Sequence, residues 1–264
     1  MKTTISFTKF VVMITVLAAL VLPPASVALA GSNGQQIQVY ACNASRVVIK
    51  GPNQSGNTVS YTLSTSTSGC GTFAISGWYW KGSVSITPYY SVSSEYPYYG
   101  GQGFSVNVPI SQSSNWYTVN VPTPSARQWV LWRAQTWVND HVSYNTGSKH
   151  DGYRTDCSGY VSFAWQLPAP GPSTSGINTS SYSFKISYDS LQPGDALDNP
   201  SSHIVLFLGW VNQSKGTFNG YEENPFYSGA HLTQTITLNK STGTMSVPGF
   251  PYPGTYIAIR KNGL

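Results

Sequence analysis

Between residues 35 and 121, short segments alternate hydrophobic and polar positions. Successive side chains of a strand point to opposite faces, so this alternation predicts β-strands with one buried face. Gly, Pro, Asn and Ser separate the segments at the spacing typical of a β-sandwich or small barrel. The predicted strands are residues 37–40, 47–49, 59–63, 83–86, 104–108 and 116–121.

The pattern changes to helical spacing after residue 122. Apolar residues recur every three or four positions from 126 to 138, and Thr123 followed by Pro124 is a favourable helix start. A second helix is predicted to begin at Cys157, with Asp156 as its N-cap, and to end before the next proline. Later strands are predicted at residues 202–210, 221–224, 233–238 and 255–259.

Residues 1–30 have the pattern of a secretory signal peptide. Lys2 and Lys9 precede an apolar run, two prolines break the run, and Ala-Leu-Ala at 28–30 has the small-x-small form of a cleavage site. The run is short for a membrane span. We therefore predict export, cleavage after residue 30 and a secreted protein that is not held at a membrane. An uncleaved signal anchor is the weaker alternative.

Composition narrows the function classes. Charged residues make up 9% and aromatic residues 14% of the chain, which argues against disorder and suits an extracellular β-rich protein. The chain has 14 basic and 9 acidic residues, and the signal carries two of the basic ones, so the mature chain has a charge of about +3. No Lys/Arg cluster indicates nucleic-acid binding, and no motif indicates a metal or an organic cofactor. The sequence predicts no oligomeric state.

Two aromatic groups, at residues 78–80 and 96–99, have two interpretations. Exposed aromatic rings can stack on sugars, and the β-rich module would then bind cell wall or glycan. Aromatic side chains also dominate burial in cores and interfaces. We favour the structural interpretation and predict no ligand for these residues.

The three cysteines divide into a pair and a single residue. Cys42 and Cys70 lie among predicted strands of an exported chain, and an oxidising compartment favours a disulfide between them. Cys157 is left unpaired at a predicted helix N-terminus, where backbone N–H groups and the helix dipole favour the thiolate. Cys157 is therefore a candidate nucleophile, and a small buried cysteine that packs the helix is the alternative.

A cysteine nucleophile needs a general base and a group that orients the base. Of the four histidines, His203 is the best candidate base, because it opens an apolar strand that would fix its ring. The other three are expected to have surface, capping or structural roles; they are His141, His150 and His231.

Hairpin geometry predicts what His203 faces. A turn centred near residue 213 or 214 places His203 close to Asn224 on the antiparallel partner strand, with Glu222 and Asn224 on one face and Glu223 on the other. A slip of one residue brings Glu223 forward instead. The third catalytic residue therefore stays open among these three side chains.

These segments also resemble a known family. DCSGYV at 156–161, LQPGD at 191–195 and SHIVLF at 202–207, in that order, are similar to the papain-like cell-wall peptidases of the NlpC type and to their CHAP amidase relatives. The resemblance spans about residues 125–264. It implies an α+β, papain-like hydrolase domain at 123–264, preceded by an all-β sandwich or barrel-like module at 31–122.

The resemblance also implies a reaction and its residues. It implies a Cys–His hydrolase that cuts amide bonds in peptidoglycan stem peptides or cross-bridges, with Cys157 as nucleophile and His203 as base. The Glu222-x-Asn224 spacing is similar to the CHAP arrangement. Three further residues are implied to contact the substrate: Asp156, Ser158 and Tyr144.

Two alternatives remain open at this level. One is a non-catalytic protein that binds cell wall or carbohydrate, or is adhesive, with a degenerate papain-like domain. The other keeps the thiol chemistry and changes the substrate, since one fold supports many reactions.

Overall fold

The computed structural model describes residues 34–66, 68–92, 99–110, 115–227, 229–251 and 254–264. The predicted signal peptide and residues 96–98 of the second aromatic group lie outside these ranges. Among the described residues, no helix is both long and apolar enough to cross a membrane.

The first half of the described chain consists of strands, as the alternating pattern predicts. The strands are β1 Gln35–Cys42, β2 Ala44–Pro52, β3 Thr58–Ser64, β4 Cys70–Trp80, β5 Gly82–Tyr90, β6 Tyr99–Gly100, β7 Phe104–Val108 and β8 Trp116–Asn120.

These strands form two sheets that share one core. β1 lies between β4, which is antiparallel to it, and β8, which is parallel. The second sheet has the order β3-β2-β5, and β6 and β7 pair with the remaining edge of β5. Alternate side chains of both sheets are buried together, among them Val39, Val47, Ile49, Val84 and Val119. The predicted sandwich-like β-structure is confirmed.

The predicted disulfide is also confirmed. Cys42 and Cys70 are directly opposite each other in β1 and β4 and are bonded. Such a bond fits a chain that matures in an oxidising compartment. Of the first aromatic group, Trp80 is buried in the sandwich core, whereas Trp78 is exposed and packs against Tyr61 with ring centroids 4.7 Å apart.

The second half combines three helices with a large sheet. Its elements are α1 Ala126–Asn139, β9 Asn145–His150, β10 Tyr153–Thr155, α2 Cys157–Trp165, α3 Thr174–Ile177, β11 Ser183–Lys185, β12 Ala196–Asn199, β13 His203–Asn212, β14 Thr217–Asn224, β15 Gly229–Leu238, β16 Thr244–Ser246, β17 Gly254–Thr255 and β18 Ile257–Lys261.

Eight strands form an antiparallel sheet in the order β11-β18-β12-β13-β14-β15-β16-β17. Its two faces bury different cores. Ile204 and Leu206 of β13 belong to the core that contains α1 and α2, whereas Val205 and Phe207 belong to a second core on the opposite face. The strand β13 is therefore buried on both sides, as its continuous apolar sequence indicates.

The predicted α+β, papain-like fold class is wrong. Strands make up 51% and helices 14% of the structure, with three helices in the described residues, so the chain is mostly β. The amphipathic helices are visible in the sequence, but several strands are not. The strand β9, for example, reads Asn-Thr-Gly-Ser-Lys-His and is almost fully exposed, so no apolar alternation marks it.

Helix α1 joins the two halves. It begins two residues later than predicted, because Ser125 rather than Thr123 is the N-cap. The Ser125 hydroxyl accepts from the Gln128 N–H, and the Gln128 side chain accepts from the Ser125 N–H. Val130 and Trp137 face the core of the second half. Trp129 and its neighbour on the next turn, Trp132, pack against the sandwich.

Candidate functional site

Cys157 is the first residue of α2, as predicted. Asp156 is the N-cap, and its Oδ1 accepts hydrogen bonds from the Gly159 N–H at 2.7 Å and from the Ser158 hydroxyl at 2.8 Å. The cap fixes the first turn of the helix, because it satisfies an N–H group that has no partner within the helix. The position of the thiol is thus set by local sequence.

The glycine of the Asp-Cys-Ser-Gly segment is required by a close approach. A Cβ atom at Gly159 would lie 1.9 Å from the carbonyl oxygen of Arg154, which is main chain and cannot rotate away. The absence of a side chain lets the strand end at Thr155 turn back tightly into α2.

Arg154 ties this turn to the following loop. Its Nε donates to Asp156 Oδ2 at 2.7 Å and its Nη2 donates to the Ser158 hydroxyl at 2.9 Å. The same guanidinium donates to the carbonyl oxygens of Gly171 and Pro172. Both oxygens of Asp156 and the Ser158 hydroxyl are therefore engaged in internal hydrogen bonds. Contact of these two residues with a substrate stays a prediction.

The Cys157 thiol is protonated, although its position at a helix N-terminus favours the thiolate. Cys157 is only 7% exposed. Burial raises the pKa of the Cys157 thiol to about 12, and the charge of Asp156 acts in the same direction. The backbone amides of Ile204 and Ser158 favour the thiolate but offset only part of this effect. Desolvation outweighs the helix dipole, so the resting thiol is protonated.

His203 forms a buried pair with Glu222. Its Nε2 lies 2.6 Å from Glu222 Oε2, and both side chains are shielded from solvent. The ring also stacks on Phe250, with centroids 4.5 Å apart. These contacts fix the imidazole in one orientation. Nε2 faces Glu222, and Nδ1 is the ring nitrogen that does not contact this carboxylate. The hairpin that the sequence predicts thus brings Glu222, and not Glu223, to the histidine.

Glu222 has more partners than the sequence indicates. Thr233 donates its hydroxyl to Oε1, and Asn224 Nδ2 lies 3.4 Å from Oε2. Burial acts to raise the pKa of Glu222, but hydrogen bonds from His203 and its other partners outweigh burial and lower the pKa to about 2. Glu222 is therefore ionised at any physiological pH.

The sequence misses His231 as a member of this cluster. It is directly opposite Glu222 in the pairing of β14 with β15, and its Nε2 lies 3.3 Å from Glu222 Oε1. At this distance the Glu222 carboxylate attracts the protonated form of the His231 ring. Burial lowers the pKa of His231, but Glu222 outweighs this and the pKa is raised. The register of β14 against β15 is the signal that would identify it.

Cys157 and His203 approach from different sides of the same strand. Alternation places His203 with Val205, on the face that carries Phe250, whereas Ile204 faces α2. The thiol meets β13 near the amide of Ile204, the residue after His203. In the described part of the chain, the thiol and the imidazole form no hydrogen bond with each other.

Two more carboxyl groups are buried beside the thiol, and the sequence does not single them out for this role. Asp198, paired with Ile204 in the sheet, and Glu223 are both fully buried, and their oxygens have no hydrogen-bond partner among the described residues. Burial raises the pKa of Asp198 to about 8 and that of Glu223 to about 8, the latter with help from the charge of Asp156. Both are predominantly protonated at neutral pH.

Tyr144 and Asn224 are also near the cluster. Burial raises the pKa of Tyr144, and the charges of Cys157, Asp156 and Glu223 raise it further. Asn224 Oδ1 accepts from the Phe226 N–H at 2.9 Å, so this side chain supports the turn after β14 as well as Glu222. Among the described residues, no group of three or more His, Cys, Asp or Glu side chains is arranged to hold a metal ion.

Comparisons of this chain with protein-family models, with curated proteins and with solved structures find no match. The resemblance to NlpC-type and CHAP enzymes therefore stays a prediction that rests on the sequence segments.

Proposed function

We propose that this chain is an exported cysteine hydrolase that cleaves amide bonds in peptidoglycan stem peptides or cross-bridges. The observation that carries the proposal is the buried contact between His203 and Glu222 at 2.6 Å, on the strand that the Cys157 thiol also touches. A buried charge paired with an imidazole is costly to maintain for packing alone. The peptidoglycan substrate is what the resemblance to NlpC-type and CHAP enzymes implies. Export is predicted from the signal-peptide pattern, and the disulfide supports it.

In the proposed reaction, His203 accepts the thiol proton through Nδ1 while the sulfur attacks the amide carbon. Glu222 stays ionised, holds Nε2 and stabilises the imidazolium that forms. Backbone N–H groups of the first turn of α2, that of Cys157 included, stabilise the oxyanion. The imidazolium then gives its proton to the leaving amine, and a water molecule that His203 activates hydrolyses the thioester.

The high pKa of the Cys157 thiol means that the free enzyme holds little thiolate before substrate binds. Because the pKa of Cys157 is raised to about 12, free thiolate is scarce at neutral pH, and deprotonation has to accompany attack. Because the thiol and the imidazole lie on opposite faces of β13, the reaction also requires the side chain of His203, the first residue of that strand, to turn towards the thiol when substrate binds. We therefore propose an enzyme whose catalytic pair is completed by its substrate.

The test is release of soluble fragments from purified peptidoglycan, followed by mass spectrometry. Cys157→Ala is expected to abolish release, and His203→Ala to lower the rate by about 10²–10⁴-fold. His141→Asn is the matched control, because His141 is exposed and has a left-handed backbone that Asn tolerates. Full activity of Cys157→Ala would refute the proposal.

One observation favours a second function. A buried, protonated thiol is also what a structural cysteine looks like, and it fits a non-catalytic protein that binds cell wall or carbohydrate. In that case the wild-type chain co-sediments with peptidoglycan and releases no fragments. Thiol labelling against pH adds a second distinction, because only the enzyme is expected to label faster when substrate is added.

A further inference from the structure

One cleft of the molecule lies away from the Cys157 cluster. It has a volume of about 460 Å³ and is enclosed by α1, the end of α2, the residues after β18 and the loop that follows β5. Trp165 at the end of α2 lines it, and Cys157 is at the other end of that helix, about 12 Å away along the axis. The cleft is thus separate from the proposed catalytic residues.

A buried arginine supplies hydrogen-bond donors to this cleft. Arg133 of α1 is 7% exposed, and its Nε donates to the carbonyl oxygen of Ala164 at 2.8 Å. This bond satisfies one carbonyl oxygen at the end of α2 and uses one of the five N–H groups of the guanidinium. The Nη1 and Nη2 groups form no hydrogen bond with any described residue, although Arg133 lines the cleft.

The remaining walls fit an anion that has an organic body. No acidic residue occurs among the described residues that line the cleft, and Lys261 adds a second positive charge at its rim. Trp129, Val130 and Val92 provide apolar surface beside the guanidinium. Burial lowers the pKa of Arg133 to about 10, so it still carries its charge at neutral pH.

We propose that this cleft binds a short peptide through a free carboxylate, with Arg133 as the carboxylate anchor. With Nε bonded to Ala164, the N–H groups of Nη1 and Nη2 remain, and one from each can donate to the two oxygens of a carboxylate. A buried guanidinium binds such a group more strongly than an exposed one. The volume and the apolar walls fit a ligand of two or three residues. This proposal does not depend on the thiol chemistry, and Cys157→Ser is expected to bind equally well.

The test is isothermal titration of the folded chain with N-acetyl-alanyl-alanine, with the C-terminal amide of the same dipeptide and with inorganic phosphate. We expect the free acid to bind at least about tenfold more tightly than the amide, because a charge-assisted pair is lost. Arg133→Gln is expected to weaken the acid about tenfold or more, and Lys261→Gln about two- to fivefold. Lys50→Gln, an exposed site outside the cleft, is the control.

Three results would overturn the proposal: equal binding of acid and amide, wild-type affinity of Arg133→Gln, or no binding of the dipeptide acid at millimolar concentration. Phosphate that binds as tightly as the dipeptide would overturn the peptide as ligand class. If loss of the Ala164 contact unfolds Arg133→Gln, Lys261→Glu provides the second test, since charge reversal at the rim is expected to abolish binding without affecting that contact.

Discussion

Replacement of Asp198 by Asn should make the protein more stable at neutral pH and leave its stability in acid almost unchanged. Asp198 is fully buried without a hydrogen-bond partner among the described residues, and burial raises its pKa to about 8 from the 3.8 of a solvated aspartate. The folded state therefore holds a proton that the unfolded state loses. Stability from this group is present below about pH 4 and is lost as pH rises through 8.

The magnitude follows from the two pKa values. At pH 7 the unfolded carboxyl is ionised and the folded one is protonated, which costs the native state about 4 kcal/mol. Asn carries no such cost, and its buried amide lacks partners just as the protonated carboxyl does, so the two neutral side chains are similarly unfavourable. We expect Asp198→Asn to gain about 4 kcal/mol at pH 7 and to have little effect near pH 4.

Urea unfolding of wild type and variant across this pH range measures the difference directly. The difference in unfolding free energy should change by about 1.4 kcal/mol per pH unit, since one proton is involved. Asp189→Asn is the matched control, because Asp189 is 70% exposed and its ion pair with Lys240 should contribute little. A difference that does not vary with pH would refute the reasoning that burial controls this carboxyl.

Three further changes test the turn, the buried pair and the disulfide. Gly159→Ala should lower stability by about 1–3 kcal/mol or more in urea unfolding, because its Cβ would overlap the Arg154 carbonyl oxygen. Glu222→Gln should cost about 3–5 kcal/mol at pH 7 and less in acid, because stability from a carboxyl whose pKa is lowered to about 2 is lost as pH falls from about 4 through 2. Reduction of Cys42–Cys70, which closes a separation of 28 residues, should cost about 3–4 kcal/mol in thermal unfolding.

The turn and the disulfide have controls within the chain. Gly147→Ala meets only ordinary contacts and should be close to neutral. A Cys42→Ser, Cys70→Ser double variant should unfold at the same temperature with and without reductant. An unchanged urea midpoint for Glu222→Gln at pH 7 would show that the carboxylate does not hold His203 in place.

Local sequence determined the elements that carry the candidate site. Asp156 and the glycine three residues later specify the start of α2, because cap and turn involve only neighbouring residues. The β13–β14 hairpin pairs Leu206 with Tyr221, a register set by a short turn, and it brings Glu222 to His203. The predicted export and the position of the cysteines among predicted strands were sufficient to predict the disulfide.

Tertiary structure decided the environment of those residues. His231 reaches Glu222 only through the pairing of β15 with β14, and nothing in its local sequence marks that contact. The fold class could not be predicted from the hydrophobic pattern of the sequence either. Short polar strands such as β9 are held by backbone hydrogen bonds and need no apolar side chains.

The ionisation of Cys157 shows the difference most directly. From sequence, the N-terminus of α2 favours a thiolate, since the dipole and the free N–H groups act locally. In the folded chain the thiol is surrounded by α2, β13 and buried carboxyl groups, and burial raises its pKa to about 12. Desolvation depends on every element packed around the sulfur, so the sequence determined where Cys157 lies, and only the tertiary structure decided its charge.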